Sequence, residues 1–212
     1  MFFICPGCGE WSTERTVEGS VVVCECGYRN PIAVRPLLLV TGASGAGKST
    51  IARHLTGTFT DVVVLDQDVL WMPEMNTPDD NYRRFRSLWL RLAIDSAQSG
   101  RPLLLFGSCD PDQYEGLPER RYVGPIHTLA LVCDDQELRD RLSARPAWRQ
   151  SGGEDFIGEM IHFNRALRSL AIERPQSVTL LDTTHVDSAE SALQVAAWAR
   201  AALKGALSTE TV

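Results

Sequence analysis

Two groups of residues in this chain could do chemistry. The first is Gly42-Ala43-Ser44-Gly45-Ala46-Gly47-Lys48-Ser49-Thr50, which carries the spacing G-x-x-x-x-G-K-[ST]. Glycines at 42, 45 and 47 let the backbone turn tightly, so successive N–H groups can converge on phosphate oxygens. A helix starting at Lys48 would present its positive N-terminus to the same anion. Lys48 places a compact charge near the β- and γ-phosphates, and the Ser49 hydroxyl suits Mg²⁺. The second group is Cys5, Cys8, Cys24 and Cys26, two pairs separated by fifteen residues. Thiolates in this arrangement suit a tetrahedral Zn²⁺, and four cysteine ligands make a closed, structural site. The second pair is C-x-C where C-x-x-C is the commoner knuckle, so a redox dithiol or a site that has lost its metal stays open. Gly7, Gly9 and Gly27 supply tight turns and favour zinc.

The whole chain bounds what these groups can serve. At 212 residues it fits one ordinary domain with a small addition. It is 44% apolar and 23% charged, with a net charge of −6, which argues against nucleic acid or an anionic membrane as principal partner. No apolar run approaches the roughly 18 residues of a spanning helix. Met1-Phe2-Phe3-Ile4 lacks a charged leader and runs straight into Cys5, so a signal peptide is not expected. Reduced cysteines in a cytoplasm are the corresponding expectation.

The elements that must position these residues can be read next. Apolar Leu37 to Thr41 reads as a buried strand feeding the glycine loop, and the following helix should end near Leu55. Asp61 to Leu65 reads as a second strand, ending in Asp66-Gln67-Asp68. In an extended segment, alternation would send both acids to one side of the sheet's carboxyl edge, where ligands bind in open α/β folds. Residues 69–81 read as loop. Tyr82 to Ser99 reads as a helix whose Arg83, Arg84, Arg86 and Arg91 lie mostly on a solvated face.

Leu103 to Phe106 and His127 to Cys133 read as the third and fourth strands. Leu129 to Asp135 imitates a Walker B segment, which would favour a mechanical ATPase. We read Asp134 or Asp135 instead as the cap of a helix from Gln136 to Ala144. Glu154 to Ile172 is a further helix, and Val178 to Leu181 the fifth strand. Asp187 or Ser188 caps a last helix running to about Lys204. Five strands alternating with helices predict a three-layer α/β domain with a parallel sheet over residues 36–212. Residues 1–35 stand apart, with short strands around Glu18-Gly19. Their Trp11 and Tyr28 are expected to pack against the main domain.

The cysteine segment resembles a zinc ribbon. The run of phosphate loop, helix, second strand and D-x-D resembles the small P-loop kinases, such as shikimate, gluconate and nucleoside-monophosphate kinases. That resemblance implies a five-stranded sheet in the order 2-3-1-4-5. It implies that Asp66, with Ser49, helps hold Mg²⁺, and that Asp68 meets the acceptor hydroxyl as general base. No acid follows the third strand, and in such kinases small residues end it beside the substrate; Gly107 would leave room for the acceptor and Ser108 would bond it.

The string LRDRLSARPAWR looks like the segment leading into a lid, here about residues 141–153, with Gly152-Gly153 as hinge. Matching its arginines gives Arg141 and Arg145 the roles of lying against adenine and reaching the phosphates, with Arg149 a third, so that Arg141 and Arg145 close over the phosphates beside Lys48 as catalytic residues, and Thr183 lies beside the base. The implied activity is transfer of the γ-phosphate of ATP to a small acceptor, nucleoside- or nucleotide-like first. Two alternatives remain. One is a non-kinase ATPase or nucleotide-gated binding module, with a protein partner or a second copy docked on the ribbon. The other is a polynucleotide end kinase, disfavoured because Glu10, Glu14, Glu18 and Glu25 outnumber Arg15, Arg29 and Arg35 in the ribbon.

Overall fold

The apolar strands read from the sequence assemble side by side into one sheet. The computed structural model describes residues 3–149 and 151–209. Residues 1, 2 and 210–212 at the ends of the expected segments, and Gln150 of the expected lid, lie outside them. The strands are β4 (Leu37–Gly42), β5 (Val63–Asp66), β6 (Leu103–Gly107), β7 (Ile126–Val132) and β8 (Val178–Asp182). They are ordered β5-β6-β4-β7-β8, all parallel, which is 2-3-1-4-5 counted within the sheet. The strand carrying the glycine loop is therefore central, paired on both sides, and β4 is buried along its whole length.

Alternation along β4 builds the layers. Leu37 and Leu39 join one apolar cluster with Trp89, Leu90 and Ile94 of α2 (Arg83–Gln98). Leu38 and Val40 join another with Ile51 and Leu55 of α1 (Lys48–Leu55) and Val195 and Ala199 of α5 (Ser188–Thr209). Side chains of period two thus feed helices on both faces, as parallel sheets require. Two further helices, α3 (Asp135–Ser143) and α4 (Glu154–Glu173), cover the β7–β8 end and the glycine loop. The last helix runs past the expected Lys204 to Thr209. None of the described helices is long and apolar enough to cross a membrane.

The cysteine segment forms its own antiparallel sheet of β1 (Thr16–Glu18), β2 (Val21–Val23) and β3 (Arg29–Pro31). It does not dock through the aromatics expected to do so. Trp11 is 54% and Tyr28 41% exposed; Phe3, Val22 and Ile32 enter the α2-side cluster instead. Polar clamps surround that contact. Arg15 N–H donates to the Tyr122 hydroxyl at 2.8 Å, Arg121 donates to the Glu14 carbonyl at 2.9 Å, and Gln98 bonds both backbone groups of Ala33. Trp11 keeps one role, because the Arg91 guanidinium lies 5.5 Å from the Phe3 ring centroid and 5.6 Å from that of Trp11. The same guanidinium pairs with buried Glu119 at 2.8 Å.

Candidate functional site

The glycine loop takes the shape its residues demand. Gly45 and Gly47 have φ of +94° and +97°, a region side chains disfavour. Gly42 is required by contact: a Cβ there would lie 2.8 Å from the Leu131 carbonyl oxygen. Ala43 and Ala46 are buried beneath the loop, and Ser49 and Thr50 are exposed on the first turn of α1. Lys48 Nζ donates to the carbonyls of Gly42 and Ala43 at 2.8 and 2.9 Å. Ser44 N–H donates to Met160 Sδ of α4 at 3.3 Å.

A cleft of about 450 Å³ opens over this loop. Residues 44–51 form its floor; Asp68, Ser108, Arg141, Arg145, Arg149 and Thr183 stand around it. The sequence-predicted residues therefore converge, with Asp66 next door: it lines an adjoining recess with Ser49 and Arg149. Burial of the Lys48 ammonium lowers its pKa to about 8, against the pull of Asp68 and Asp66. The Asp68 carboxyl is pushed up by loss of solvent and by Asp66, with Lys48, Arg149 and Arg145 opposing. Asp68 keeps a solvent-facing edge, so its proton can exchange with something in the cleft. Burial, with Arg149 nearby, lowers Arg145.

The D-x-D pair is arranged differently from the extended alternation expected. The strand stops at Asp66, and Gln67–Leu70 is a 3₁₀ turn. The Asp66 side chain accepts the Asp68 N–H at 3.0 Å. A short acid at that point caps the turn and diverts the chain from the sheet. The Asp66 carboxylate has a second oxygen that the cap does not use, and Asp66 lines one recess with Ser49. These two hard oxygen donors suit Mg²⁺.

Arg141 is held by the protein itself. It pairs with Glu137 at 2.7 Å and donates to the Thr183 carbonyl at 2.8 Å, with a longer contact to the Gly45 carbonyl. Thr183 is buried; its N–H donates to the Val132 carbonyl at 2.8 Å and its hydroxyl reaches the Ala46 carbonyl. Together they fasten the loop to the end of β8. Arg145 and Arg149 line the cleft. Asp134 is the cap expected of it: it accepts from Gln136 N–H at 2.8 Å and lines a separate groove.

Three residues depart from the sequence reading and one escaped it. Gly107 does not leave room for an acceptor; its Cβ position is filled by the Gln67 amide, 2.2 Å away. Ser108 Oγ donates to the Gly42 carbonyl at 2.9 Å while lining the cleft. Arg86 is not solvated but 4% exposed, donating to Gln67, Gln113 and the Ser108 carbonyl. Its position beside Phe85 and three before Trp89 was the available signal, since that spacing lies on the apolar face. Ser191 lines the cleft with a buried hydroxyl that has no partner among the described residues. Nothing in its sequence context marks it.

The four cysteine sulfurs lie within 4.8 Å of one another. Cys5 to Cys26 is 3.7 Å and Cys8 to Cys24 is 3.8 Å. A Zn–S bond of about 2.3 Å gives a ZnS₄ tetrahedron an edge of about 3.8 Å. The donor set and its spacing therefore fit zinc, and each cysteine of the C-x-C pair reaches that spacing from one cysteine of the first pair.

Comparison with known proteins gives three results. A family model described as an AAA domain matches residues 38–156, over half of the chain. Over 162 residues the chain is 32% identical to a nucleotide-binding protein of Zymomonas mobilis, a match covering 72% of this chain and 45% of that one. The chain thus spans less than half of that relative's length. Among solved structures it is similar to a gluconokinase from Sinorhizobium meliloti, with TM-score 0.57 and 17% identity over 84% of this chain and 98% of that one. A sugar kinase from Janibacter sp. gives 0.53 and 20%, over 78% and 92% of the two chains. A shikimate kinase from Acinetobacter baumannii, solved with shikimate, gives 0.50 and 18%, over 84% and 96%. At these identities the likeness is one of fold, that of the small P-loop kinases.

Proposed function

Because the chain belongs to the AAA-domain family, whose model spans its residues 38–156, we propose that it is an ATP- and Mg²⁺-dependent phosphotransferase acting on a small hydroxyl or phosphate acceptor. Nucleoside- or nucleotide-like acceptors are the first class to try. The observation that carries this reading is Asp68: a carboxyl of raised pKa sharing one cleft with the phosphate loop. A carboxylate beside the γ-phosphate site can take the proton of an attacking hydroxyl. The acceptor oxygen bonds the γ-phosphorus, the bond to the β–γ bridging oxygen breaks, ADP departs, and the proton passes to Asp68. Lys48 and Arg145 neutralise charge on the transferring group, and the loop amides hold the β-phosphate. Ser49 and Asp66 would hold Mg²⁺, which when bound would add charge neutralisation on the phosphate oxygens. Arg141 and Thr183 set the position of the loop against the base side of the cleft. The fold shared with gluconate and shikimate kinases supports a compact acceptor.

The four cysteines hold a structural Zn²⁺ in the same reading. Residues 1–35 form the ribbon, residues 36–212 the kinase-like domain, and residues 141–153 its lid.

A second reading is supported by the family's description and by the Zymomonas relative, which is named only for nucleotide binding. It is an ATPase without an acceptor, its ribbon bound to a protein partner. A panel of small acceptors with γ-labelled ATP separates the two. Transfer of label to one acceptor class supports the kinase; hydrolysis that no acceptor accelerates supports the alternative.

A further inference from the structure

Between Asp66 and Asp68 lies a residue that is buried where Asp68 is exposed. Gln67 is 3% exposed, while Asp68 beside it faces solvent. Its carbonyl oxygen accepts from Arg86 at 2.7 Å, and its amide nitrogen donates to the Tyr114 hydroxyl at 2.6 Å. Arg86 can only donate, so the amide has one satisfactory orientation. The same amide lies against the backbone of Gly107, whose missing Cβ leaves the space it occupies. Arg86 also holds the carbonyl of Ser108, and Ser108 Oγ holds that of Gly42. A continuous chain of bonds, buried at Gln67 and partly exposed at Ser108, therefore runs from the 3₁₀ turn, through Gln67, Arg86 and Ser108, to the first residue of the phosphate loop. Among the described residues the hydrogen-bond partners of Arg86 are Gln67, Gln113 and the Ser108 carbonyl, so its charge is met by neutral acceptors and by the Tyr82, Phe85 and Tyr114 rings.

We propose that Gln67 is a positioning residue for Asp68: its buried amide, clamped by Arg86 and Tyr114 beneath Gly107, fixes the distance between the Asp68 carboxylate and the phosphate loop. The physical reason is the weakness of the turn alone. A single 3₁₀ turn with one side-chain cap opens easily, and an unanchored carboxylate would sample positions out of reach of the acceptor. Buried amides with both ends paired are costly to displace, because moving them leaves donors and acceptors unmet.

This inference rests on the phosphotransferase reading for its kinetic arm only. The experiment compares wild type, Gln67→Leu and Gln67→Glu in the full chain. Leucine keeps the volume and removes both bonds; glutamate still accepts from Arg86 and from the Tyr114 hydroxyl. Amide exchange is read by mass spectrometry over residues 66–70 and over the phosphate loop, with or without any active acceptor. With leucine, exchange at 66–70 rises at least about tenfold while residues 42–50 stay protected. Glutamate restores protection. Where an acceptor is found, Gln67→Leu lowers kcat about a hundredfold with little change in the KM for ATP. Placed on an Asp68→Asn background it lowers kcat no further, because the two act as one unit. Unchanged exchange at 66–70 with leucine, equal exchange for leucine and glutamate, or a kcat loss that multiplies with Asp68→Asn would each overturn the proposal. Absence of transfer in wild type would sink the kinase reading and leave the exchange result standing.

Discussion

The Asp66 carboxylate accepts the backbone N–H of Asp68 at 3.0 Å, so the two acids of the D-x-D pair are not equivalent. One caps the turn that carries the other. Asp68→Asn should therefore cut phosphoryl transfer by about 10²–10⁴-fold, the usual worth of a general base, with nucleotide affinity nearly intact. Asp66→Asn keeps a capping oxygen and should instead raise the Mg²⁺ concentration needed for half-maximal rate. Steady-state rates across a Mg²⁺ series, with nucleotide dissociation constants, check both. Full activity in Asp68→Asn would remove it as base.

Lys48 gives a pH prediction. Burial holds its free-protein pKa at about 8, with Asp68 and Asp66 opposing. Only the ammonium attracts phosphate, and bound triphosphate raises the pKa from this lowered value. Affinity should be near its full value at pH 7 and fall as pH rises through 8, by about tenfold between pH 7 and pH 9, with proton uptake on binding. Calorimetry at pH 8 in two buffers of different protonation enthalpy measures that uptake. A flat affinity from pH 7 to 9 would contradict the shift.

Asp134 supplies the control for the Walker B look-alike. It caps α3 and lines a groove apart from the phosphate cleft. Asp134→Ala should cost about 1 kcal/mol of stability, as a lost N-cap does, and leave ATP turnover unchanged. Urea denaturation and a turnover assay read the two effects. A turnover collapse in a folded variant would favour the ATPase without an acceptor.

How far the residues themselves announced this arrangement depends on the kind of force involved. The phosphate loop was legible because backbone turns at Gly45 and Gly47 exclude other side chains and so leave a spaced pattern. The layers were legible because Leu37 to Val40 alternate between two clusters. The geometry of Asp68 was not, since one side-chain cap at Asp66 ends the strand where periodicity continues it. Arg86 was hidden because its partners, Gln67, Gln113 and Ser108, are distant in sequence. The ribbon's docking through Phe3 in place of Trp11 depended on shape, which composition does not encode.

The cysteine cluster predicts a metal requirement. The purified chain should carry one zinc, and Cys24→Ser should lower that content and the thermal midpoint together. Atomic absorption and a thermal scan with and without chelator measure this. A chain free of zinc, with a midpoint indifferent to chelator, would exclude the site. Phe3→Ala tests the docking separately. It should retain zinc but lose about 3 kcal/mol in urea denaturation, because it empties a buried aromatic site.

The shared apolar cluster carries a practical consequence for anyone handling this molecule. A shortened version starting at Pro36 would strip Phe3, Val22 and Ile32 from the α2 side and turn that greasy wall toward water. Such a fragment would be expected to clump and to fail in assays for reasons unrelated to nucleotide chemistry, so inactivity after trimming would say nothing about whether the ribbon takes part in catalysis.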